Sequence, residues 1–142
     1  MCSHCGCRAN TVIARYSAEH DDIVNAMGVL RRAASAGDRA GTGASARALA
    51  GLLDPHTASE ERSLFAELRL DAEFPDHVDG LCAEHREIDA ALARVADGDL
   101  AAVGTLEHIL RRHIDKEENG LFPAAVIALD GAAWERVVSA AS

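Results

Sequence analysis

Residues 56–65 read HTASEERSLF, and residues 113–122 read HIDKEENGLF. Both stretches follow the pattern H-x-x-x-E-E-x-x-L-F. A shorter echo precedes each of them, AEHDDI at 18–23 and AEHREI at 83–88. The chain therefore repeats one plan twice, a single histidine followed by His-x-x-x-Glu, and this order predicts two helical hairpins of the same design.

The spacing inside each stretch groups its polar side chains. Residues four apart on an α-helix lie on one face, one turn from each other. His56 and Glu60 are therefore expected to reach one region together, and so are His113 and Glu117. Each pair offers one imidazole and one carboxylate, which is a common donor combination for a metal ion.

The single histidines of the repeat lie on the apolar faces of their helices. His20 follows Tyr16 by one turn, and His85 follows Leu81 by one turn. A carboxylate buried among such residues is costly unless it is paired or coordinates a metal. Two divalent ions bridged by the two glutamates would remove this cost, and the donors suit iron, zinc, manganese or cobalt better than calcium or magnesium. The predicted ligands are His20, His56, Glu60, His85, His113 and Glu117.

The composition indicates one all-helical domain. The chain has 142 residues, 49% of them hydrophobic and only 4% aromatic, and it is rich in the helix formers Ala and Leu. We expect a Cys-rich arm at 1–10 and an antiparallel up-down-up-down four-helix bundle at 11–142. The first predicted helix begins near Thr11. Three further helices are predicted over 44–70, 76–96 and 100–129, and a last short helix over 132–140. Pro55 predicts a kink, or a fresh helix start capped by Asp54, and Pro123 predicts a bend.

Charge and hydropathy narrow the functional classes. The formal net charge is −9, and the arginines are mixed with acidic residues, so we expect no nucleic-acid partner. No apolar run approaches the length of about 20 residues that a membrane span needs. The N-terminal stretch MCSHCGCRAN has no apolar signal region, and we therefore expect a cytoplasmic protein without a membrane partner.

The cysteines leave several interpretations open. Cys2, Cys5 and Cys7 form C-x-x-C-x-C, which offers three of the four ligands of a structural zinc site, with His4 as a possible fourth donor. This arm could be a solvent-exposed segment, a thiol redox relay, a metal-delivery arm or a lid over the end of the bundle. Cys82 lies three residues before His85, so it is either a core residue or a sulfur close to the metals.

Three further side chains are candidates for roles around the metals. Tyr16 could pack in the core or bring its hydroxyl to a metal-bound oxygen. Glu61 and Glu118 directly follow the two predicted bridging glutamates, off the ligand face. They are either solvated or orient the ligand histidines through hydrogen bonds.

The order of these motifs resembles the hemerythrin-like (HHE cation-binding) family over about residues 11–129. The residues that carry the likeness are His20 in AEHDDI, His56 and Glu60 in HTASEE, His85 in AEHREI, and His113 and Glu117 in HIDKEE. The resemblance implies a four-helix bundle with a non-haem di-iron centre, bridged by two carboxylates and an oxo or hydroxo group. It also implies that His20 and His56 bind one iron, that His85 and His113 bind the other, and that Glu60 and Glu117 bridge the two.

One position departs from the oxygen-carrying branch of that family. That branch has a further histidine four residues before the one matching His85, and here the position is Leu81. The chain therefore resembles the bacterial branch with four histidines and two glutamates, which serves in sensing or repair. Fewer protein ligands leave more open coordination positions, which favour reaction with small molecules over reversible oxygen transport.

Three functions follow as alternatives. The first is a di-iron protein that binds, senses or reacts with O₂, NO or peroxide, for example in a stress response. The second is a di-iron oxidase or peroxidase that uses the N-terminal cysteines as a thiol relay. The third is an iron- or zinc-binding module without turnover, and zinc or manganese could also replace iron in the first two. Whether the protein is an enzyme, and which redox partner it has, stay open at this point.

Overall fold

Seven α-helices and one π-helical turn make up nearly all of residues 7–142, the part of the chain that this computed structural model describes. No strand occurs among these residues. The α-helices are α1 (Cys7–Ser35), α2 (Arg39–Arg62), α3 (Leu64–Leu68), α4 (Pro75–Ala96), α5 (Ala102–Lys116), α6 (Phe122–Ala128) and α7 (Gly131–Ala141), and the π-helical turn (Glu117–Leu121) joins α5 to α6.

Four rods form the bundle. The first is α1, the second is α2 continued by α3, the third is α4, and the fourth is α5 continued through the π-helical turn into α6. Helix α1 packs on α2, α2 on α4, α4 on α5, and α5 again on α1. This arrangement confirms the predicted all-α bundle. Helix α7 packs against α1, α2 and α3, and no described helix is both long and apolar enough to cross a membrane.

Two glycines make the tight turns between neighbouring rods. Gly37 has φ 71° and Gly98 has φ 101°, values that favour glycine because it has no side chain to clash with the backbone. After Gly37, the amide of Asp38 donates to the carbonyl of Ala33 at 3.0 Å, which closes the end of α1. Short turns of this kind bring consecutive rods together in antiparallel order.

Helix α2 differs from the prediction at Pro55. The helix runs unbroken from Arg39 to Arg62, so the expected fresh start capped by Asp54 is wrong. A proline costs the helix one hydrogen bond, here to the carbonyl of Gly51, and Gly51 lies at the surface where water can replace the missing donor. The helix is interrupted at Ser63 instead, where the hydroxyl donates to the carbonyl of Ser59 at 2.6 Å.

The other predicted boundaries shift by a few residues. Helix α1 begins at Cys7 rather than near Thr11. The bend expected near Pro123 corresponds to the π-helical turn just before it, where the amide of Phe122 donates to the carbonyl of Glu117. π-Helical turns are frequent at functional sites, and this one carries two glutamates of the repeat.

The apolar core is divided into two clusters along the bundle. One contains Tyr16, Phe65, Phe122 and Trp134 among its largest members. The other contains Ile23, Met27, Leu49, Leu92 and Leu106. Because Tyr16 belongs to the first cluster and Ile23 to the second, residue 20 of α1 lies between them. The polar residues of the repeat therefore occupy a layer of the bundle with apolar packing on both sides.

Candidate metal centre

Two groups of buried donor atoms lie in this polar layer. One group consists of His20, His56, Glu60 and Glu117, and the other consists of Glu60, His85, His113 and Glu117. In each group the four donor atoms lie within 4.8 Å of one another. The structure thus brings together all six predicted ligands, and the two glutamates belong to both groups.

All four rods contribute to the centre. Helix α1 supplies His20, α2 supplies His56 and Glu60, α4 supplies His85, and α5 with the following turn supplies His113 and Glu117. The histidines are 3–4% exposed and both glutamates are fully buried. The folded chain therefore pays the full desolvation cost of these groups unless something inside the bundle compensates for it.

Glu60 lies between one histidine of each group. Its Oε1 is 3.4 Å from Nε2 of His56 and 3.3 Å from Nε2 of His85. The Nε2 atom of His85 in turn lies 3.1 Å from Nε2 of His113. Two imidazole nitrogens this close, both turned toward the same carboxylates, are arranged as neighbouring donors to one ion would be.

Glu117 takes the equivalent place on the opposite side. Its Oε1 is 2.9 Å from Nε2 of His20, and its Oε2 is 3.4 Å from Nε2 of His113. Burial alone would raise the pKa of Glu117, but the adjacent imidazoles of His113 and His20 hold it well below its usual range. Glu117 is therefore a carboxylate in the metal-free protein, ready to bind a cation.

Six buried polar atoms of the centre make no hydrogen bond of normal geometry, although they lie as close as 2.9 Å to one another. They are Nε2 of His20, Nε2 of His56, and both carboxylate oxygens of Glu60 and of Glu117. A buried acceptor left unsatisfied costs about 1–3 kcal/mol, and more when it is charged. So many in one place are unusual in a native protein, and coordination of cations by these oxygen and nitrogen atoms would satisfy them. The residues therefore fit a site for two metal ions.

Each ligand histidine also contacts a carboxylate through its other ring nitrogen. Nδ1 of His56 lies 2.7 Å from Glu19, and Nδ1 of His20 lies 2.5 Å from Glu118. Nδ1 of every one of these rings is thereby occupied, so that Nε2 is the atom left to bind a metal. Such pairing sets the tautomer and the orientation of a ligand imidazole.

These contacts form a closed ring around the bundle, which we call the carboxylate ring. Each rod sends one glutamate to the histidine of the next rod, and the last rod returns to the first. The four pairs are Glu19 with His56, Glu61 with His85 at 2.6 Å, Glu84 with His113 at 2.8 Å, and Glu118 with His20. Adjacent glutamates such as Glu60 and Glu61 diverge because successive residues on a helix point about 100° apart.

Half of the carboxylate ring was anticipated from the sequence. Glu61 and Glu118 were expected to be either solvated or orienting groups, and both contact a ligand histidine. Glu19 and Glu84 were missed. A signal for them exists in the repeat, since each directly precedes the single histidine in AEHDDI and AEHREI.

Two of the histidines have strongly raised pKa values in the metal-free protein. Burial disfavours the charged imidazolium of His56, but the adjacent carboxylate of Glu60 outweighs burial and raises the pKa of His56 to about 9. For His85, burial again lowers the pKa, and the adjacent carboxylate of Glu60 outweighs it and raises the pKa to about 9. At neutral pH these rings hold protons that a metal ion must displace.

The Leu-Phe end of each repeat packs against a ligand ring. Phe65 stacks on His85 with 5.7 Å between ring centroids, and Phe122 stacks on His20 at 5.8 Å. The planes of the rings are within 12° of parallel in both pairs. The two phenylalanines therefore hold the imidazoles in place and shield the centre from one side.

Tyr16 is placed beside the centre without facing it. Its hydroxyl bonds to the hydroxyls of Ser59 and Ser63 at 2.7 and 2.8 Å. Its ring meets that of His56 edge-on, with 5.4 Å between centroids. Burial raises the pKa of Tyr16. The residue packs against a ligand and anchors α1 to α2 through its hydroxyl.

The cysteines contribute no donor to either group among the described residues. Cys82 is buried, its Sγ accepts a hydrogen bond from Arg69 at 3.4 Å, and burial raises the pKa of its thiol. Cys2 and Cys5 lie outside the described residues. Cys7 is the first residue of α1. The role of the N-terminal C-x-x-C-x-C stretch therefore stays a prediction.

A comparison with protein-family models finds a match to the hemerythrin HHE cation-binding domain over residues 11–125. The chain belongs to this family. The match includes all four rods and every residue of the two donor groups. Searches among curated proteins and among solved structures found no match.

Family membership and geometry agree on the chemistry of this hemerythrin-like domain. The family is defined by cation binding, and the two groups of buried histidines and glutamates are the place in the described chain where cations fit. The domain is therefore a metal-binding protein. The identity of the metal and the reaction at it are matters for proposal.

Proposed function

We propose that this domain is a non-haem di-iron protein that binds, senses or reacts with O₂, NO or peroxide. In this proposal His20 and His56 hold one iron, His85 and His113 hold the other, and Glu60 and Glu117 bridge them. The observation that carries the proposal is the set of six buried donor atoms without a well-formed hydrogen bond, which belong to two donor groups that have both glutamates in common.

The donor chemistry favours iron among the candidate metals. Imidazole with carboxylate is a usual donor set for iron, whereas a structural zinc site is normally tetrahedral and often contains thiolates. No cysteine of the described chain belongs to the two groups. Bound iron would supply redox chemistry and open coordination positions for a small ligand.

The surrounding side chains prepare the site for such a ligand. Leu81, which stands where the oxygen-carrying branch has a further histidine, is 1% exposed and belongs to an apolar cluster. It offers no donor atom. The stacked rings of Phe65 and Phe122 and the carboxylate ring keep the histidines fixed and limit access of bulk water, which strengthens electrostatic interactions inside.

Metal analysis combined with an optical spectrum tests the proposal. The protein as purified should hold about two irons per chain, as the two donor groups require. Its spectrum should show ligand-to-iron charge-transfer bands that change on reduction and recover, or change further, on exposure to air, NO or peroxide. A protein that holds one tight zinc and no iron refutes the assignment. Two irons that respond to none of these ligands would instead favour the metal-binding module without turnover.

Substitutions identify the ligands. His56→Ala and Glu117→Ala should lose bound iron and melt at a lower temperature than the parent, because metal bound only by the folded state stabilises it. His108→Ala is the matched control, since His108 is exposed on α5 and belongs to neither donor group. Equal iron content and melting temperature in His56→Ala and His108→Ala would exclude His56 as a ligand.

The thiol-relay alternative has its own experiment. If the N-terminal cysteines pass electrons to the centre, replacing Cys2, Cys5 and Cys7 by serine should abolish turnover of peroxide or O₂ with a thiol reductant. The iron content should stay at the parent level, because all six residues of the two donor groups are kept. Unchanged kinetics in this variant eliminate the relay.

A further inference from the structure

A pocket of about 220 Å³ opens at the surface between α1 and α2, next to the metal centre. Its lining residues are Glu19, Asp22, Gly51, Leu52, Pro55 and His56. Of these, His56 alone is buried, and it alone also belongs to a donor group of the metal centre, the one with His20, Glu60 and Glu117. The imidazole of His56 therefore has the centre on one side and the pocket on the other.

The pocket occurs where the two halves of the repeat differ. When His56 is aligned with His113, the residue five positions earlier is Gly51 in the first half and His108 in the second. The residue directly before the histidine is Pro55 in the first half and Arg112 in the second. At these two positions the first half has the small residues Gly51 and Pro55, whereas the second half has the larger polar side chains of His108 and Arg112.

The space beside Gly51 is open. A Cβ atom placed on this glycine would meet no heavy atom of another residue within 4 Å. A larger side chain can therefore be accommodated there without displacing the backbone, and it would project beside the pocket that Gly51 lines.

The polar atoms of the pocket suit cations. Asp22 brings an exposed carboxylate to its rim, and the carboxylate of Glu19, which also lines it, is shared between His56 and Arg15. Pro55 has no N–H, so the carbonyl of Gly51 lacks the hydrogen bond that residue 55 would normally donate. Carboxylate and carbonyl oxygens attract divalent cations and repel anions.

We propose that this pocket is the entrance by which divalent metal ions and uncharged small molecules reach the centre, and that its acidic rim disfavours anions. The inference rests on the proposed metal centre and adds a route and a selectivity to it. Glu19 links the two, since it lines the pocket and holds Nδ1 of His56. Ions and ligands enter past His56, on the first-half side of the bundle.

Filling the pocket tests the route. Metal-free protein is mixed with Fe²⁺ under anaerobic conditions, and the rate of uptake is followed together with the final stoichiometry. Gly51→Leu should slow uptake at least about tenfold, which corresponds to about 1.4 kcal/mol in the barrier, and leave the final iron content unchanged. The variant should fold, because leucine is a better helix former than glycine at an exposed helical position.

Gly80→Leu is the matched control. Gly80 lies on α4 five residues before His85, as Gly51 lies five residues before His56, and it too is exposed with no neighbour within 4 Å of an added Cβ. It should take up Fe²⁺ at the parent's rate. Equal rates for Gly51→Leu and Gly80→Leu overturn the entrance. If the parent protein takes up no Fe²⁺ at all, the proposed metal centre is wrong, and so is the entrance that depends on it.

Replacing the exposed rim carboxylate tests the selectivity. Asp22→Asn should slow Fe²⁺ uptake by about two- to fivefold at low salt and speed the binding of azide to the iron-loaded protein by a similar factor, because one negative charge of the rim is lost. Both effects should shrink at high ionic strength. If Asp22→Asn takes up Fe²⁺ and binds azide at the parent's rates at low salt, the proposed role of the rim is wrong.

Discussion

The carboxylate ring predicts that glutamates which never touch a metal still control how tightly it is held. Glu84 is the best member for the experiment. It is the most buried of the four, with its side chain 17% exposed, and it accepts from Nδ1 of His113 at 2.8 Å while pairing with Lys116. Burial opposes its charge, but Lys116 and His113 keep the pKa of Glu84 below its usual value, so it acts as an anion.

The change Glu84→Gln keeps the shape and removes the charge. A hydrogen bond to a charged group contributes about 1.5–3 kcal/mol, and one between neutral groups about 0.5–1.5 kcal/mol. The difference of about 1–1.5 kcal/mol corresponds to a roughly five- to tenfold weaker affinity for the metal. This lies at the lower end of the roughly 10- to 100-fold loss that is usual when a carboxylate that supports a ligand histidine is removed.

Competition with a chromophoric chelator for Fe²⁺ measures the affinity, and Glu107→Gln is the matched control. Glu107 is 18% exposed and also pairs with cationic side chains, those of Arg31 and Arg111, but it contacts no ligand histidine. The control should keep the parent's affinity. Equal affinities of Glu84→Gln and Glu107→Gln would refute the reasoning.

The same reasoning predicts an order within the ring. The side chain of Glu61 is 42% exposed, more than that of any other member. Solvent screens its charge and can replace it as an acceptor for His85. Glu61→Gln should therefore weaken metal binding less than Glu84→Gln does, and the reverse order would show that burial does not set the strength of these contacts.

Two further predictions concern the metal-free protein and the neighbour of the centre. The pKa values of His56 and His85 are about 9 in the fold, against about 6.5 in the unfolded chain. Protonation of these rings therefore stabilises the metal-free fold fully below about pH 6.5, and this contribution is lost as the pH rises through 9. Urea unfolding should therefore give a lower free energy at pH 9.5 than at pH 6, and a higher one would contradict the assignment. Tyr16→Phe should lower the free energy of unfolding by about 1 kcal/mol, because the bonds to Ser59 and Ser63 are lost, and it should retain the parent's iron; loss of iron would show that the hydroxyl acts on the centre.

The family and the fold class could be predicted from the sequence because their signals are local. The His-x-x-x-Glu spacing reports one helical face, and it needs only the 3.6-residue period of the α-helix. His56 with Glu60 and His113 with Glu117 are two copies of that local signal, and their repetition made an accidental pattern implausible. The structure brings the same six residues into two adjoining groups.

Local rules also left two outcomes open at Pro55, a kink or a fresh helix start, and the fresh start is wrong. A proline inside a helix removes one hydrogen bond, and the sequence pattern alone could not show that the affected carbonyl, at Gly51, lies at the surface. The helix continues through Pro55 and breaks at Ser63, where a side-chain hydroxyl bonds to the preceding turn.

The contacts between rods were decided by the tertiary structure. Glu19 and His56 are 37 residues apart, and Glu118 and His20 are 98 apart. Their pairing depends on the rotation and the axial shift of each helix against its neighbour, and those follow from how the two apolar clusters pack. The sequence by itself determined that histidines and carboxylates share the interior of a bundle. The packed bundle determined which glutamate holds which histidine, and it placed a surface pocket beside His56, lined by Gly51 and Pro55.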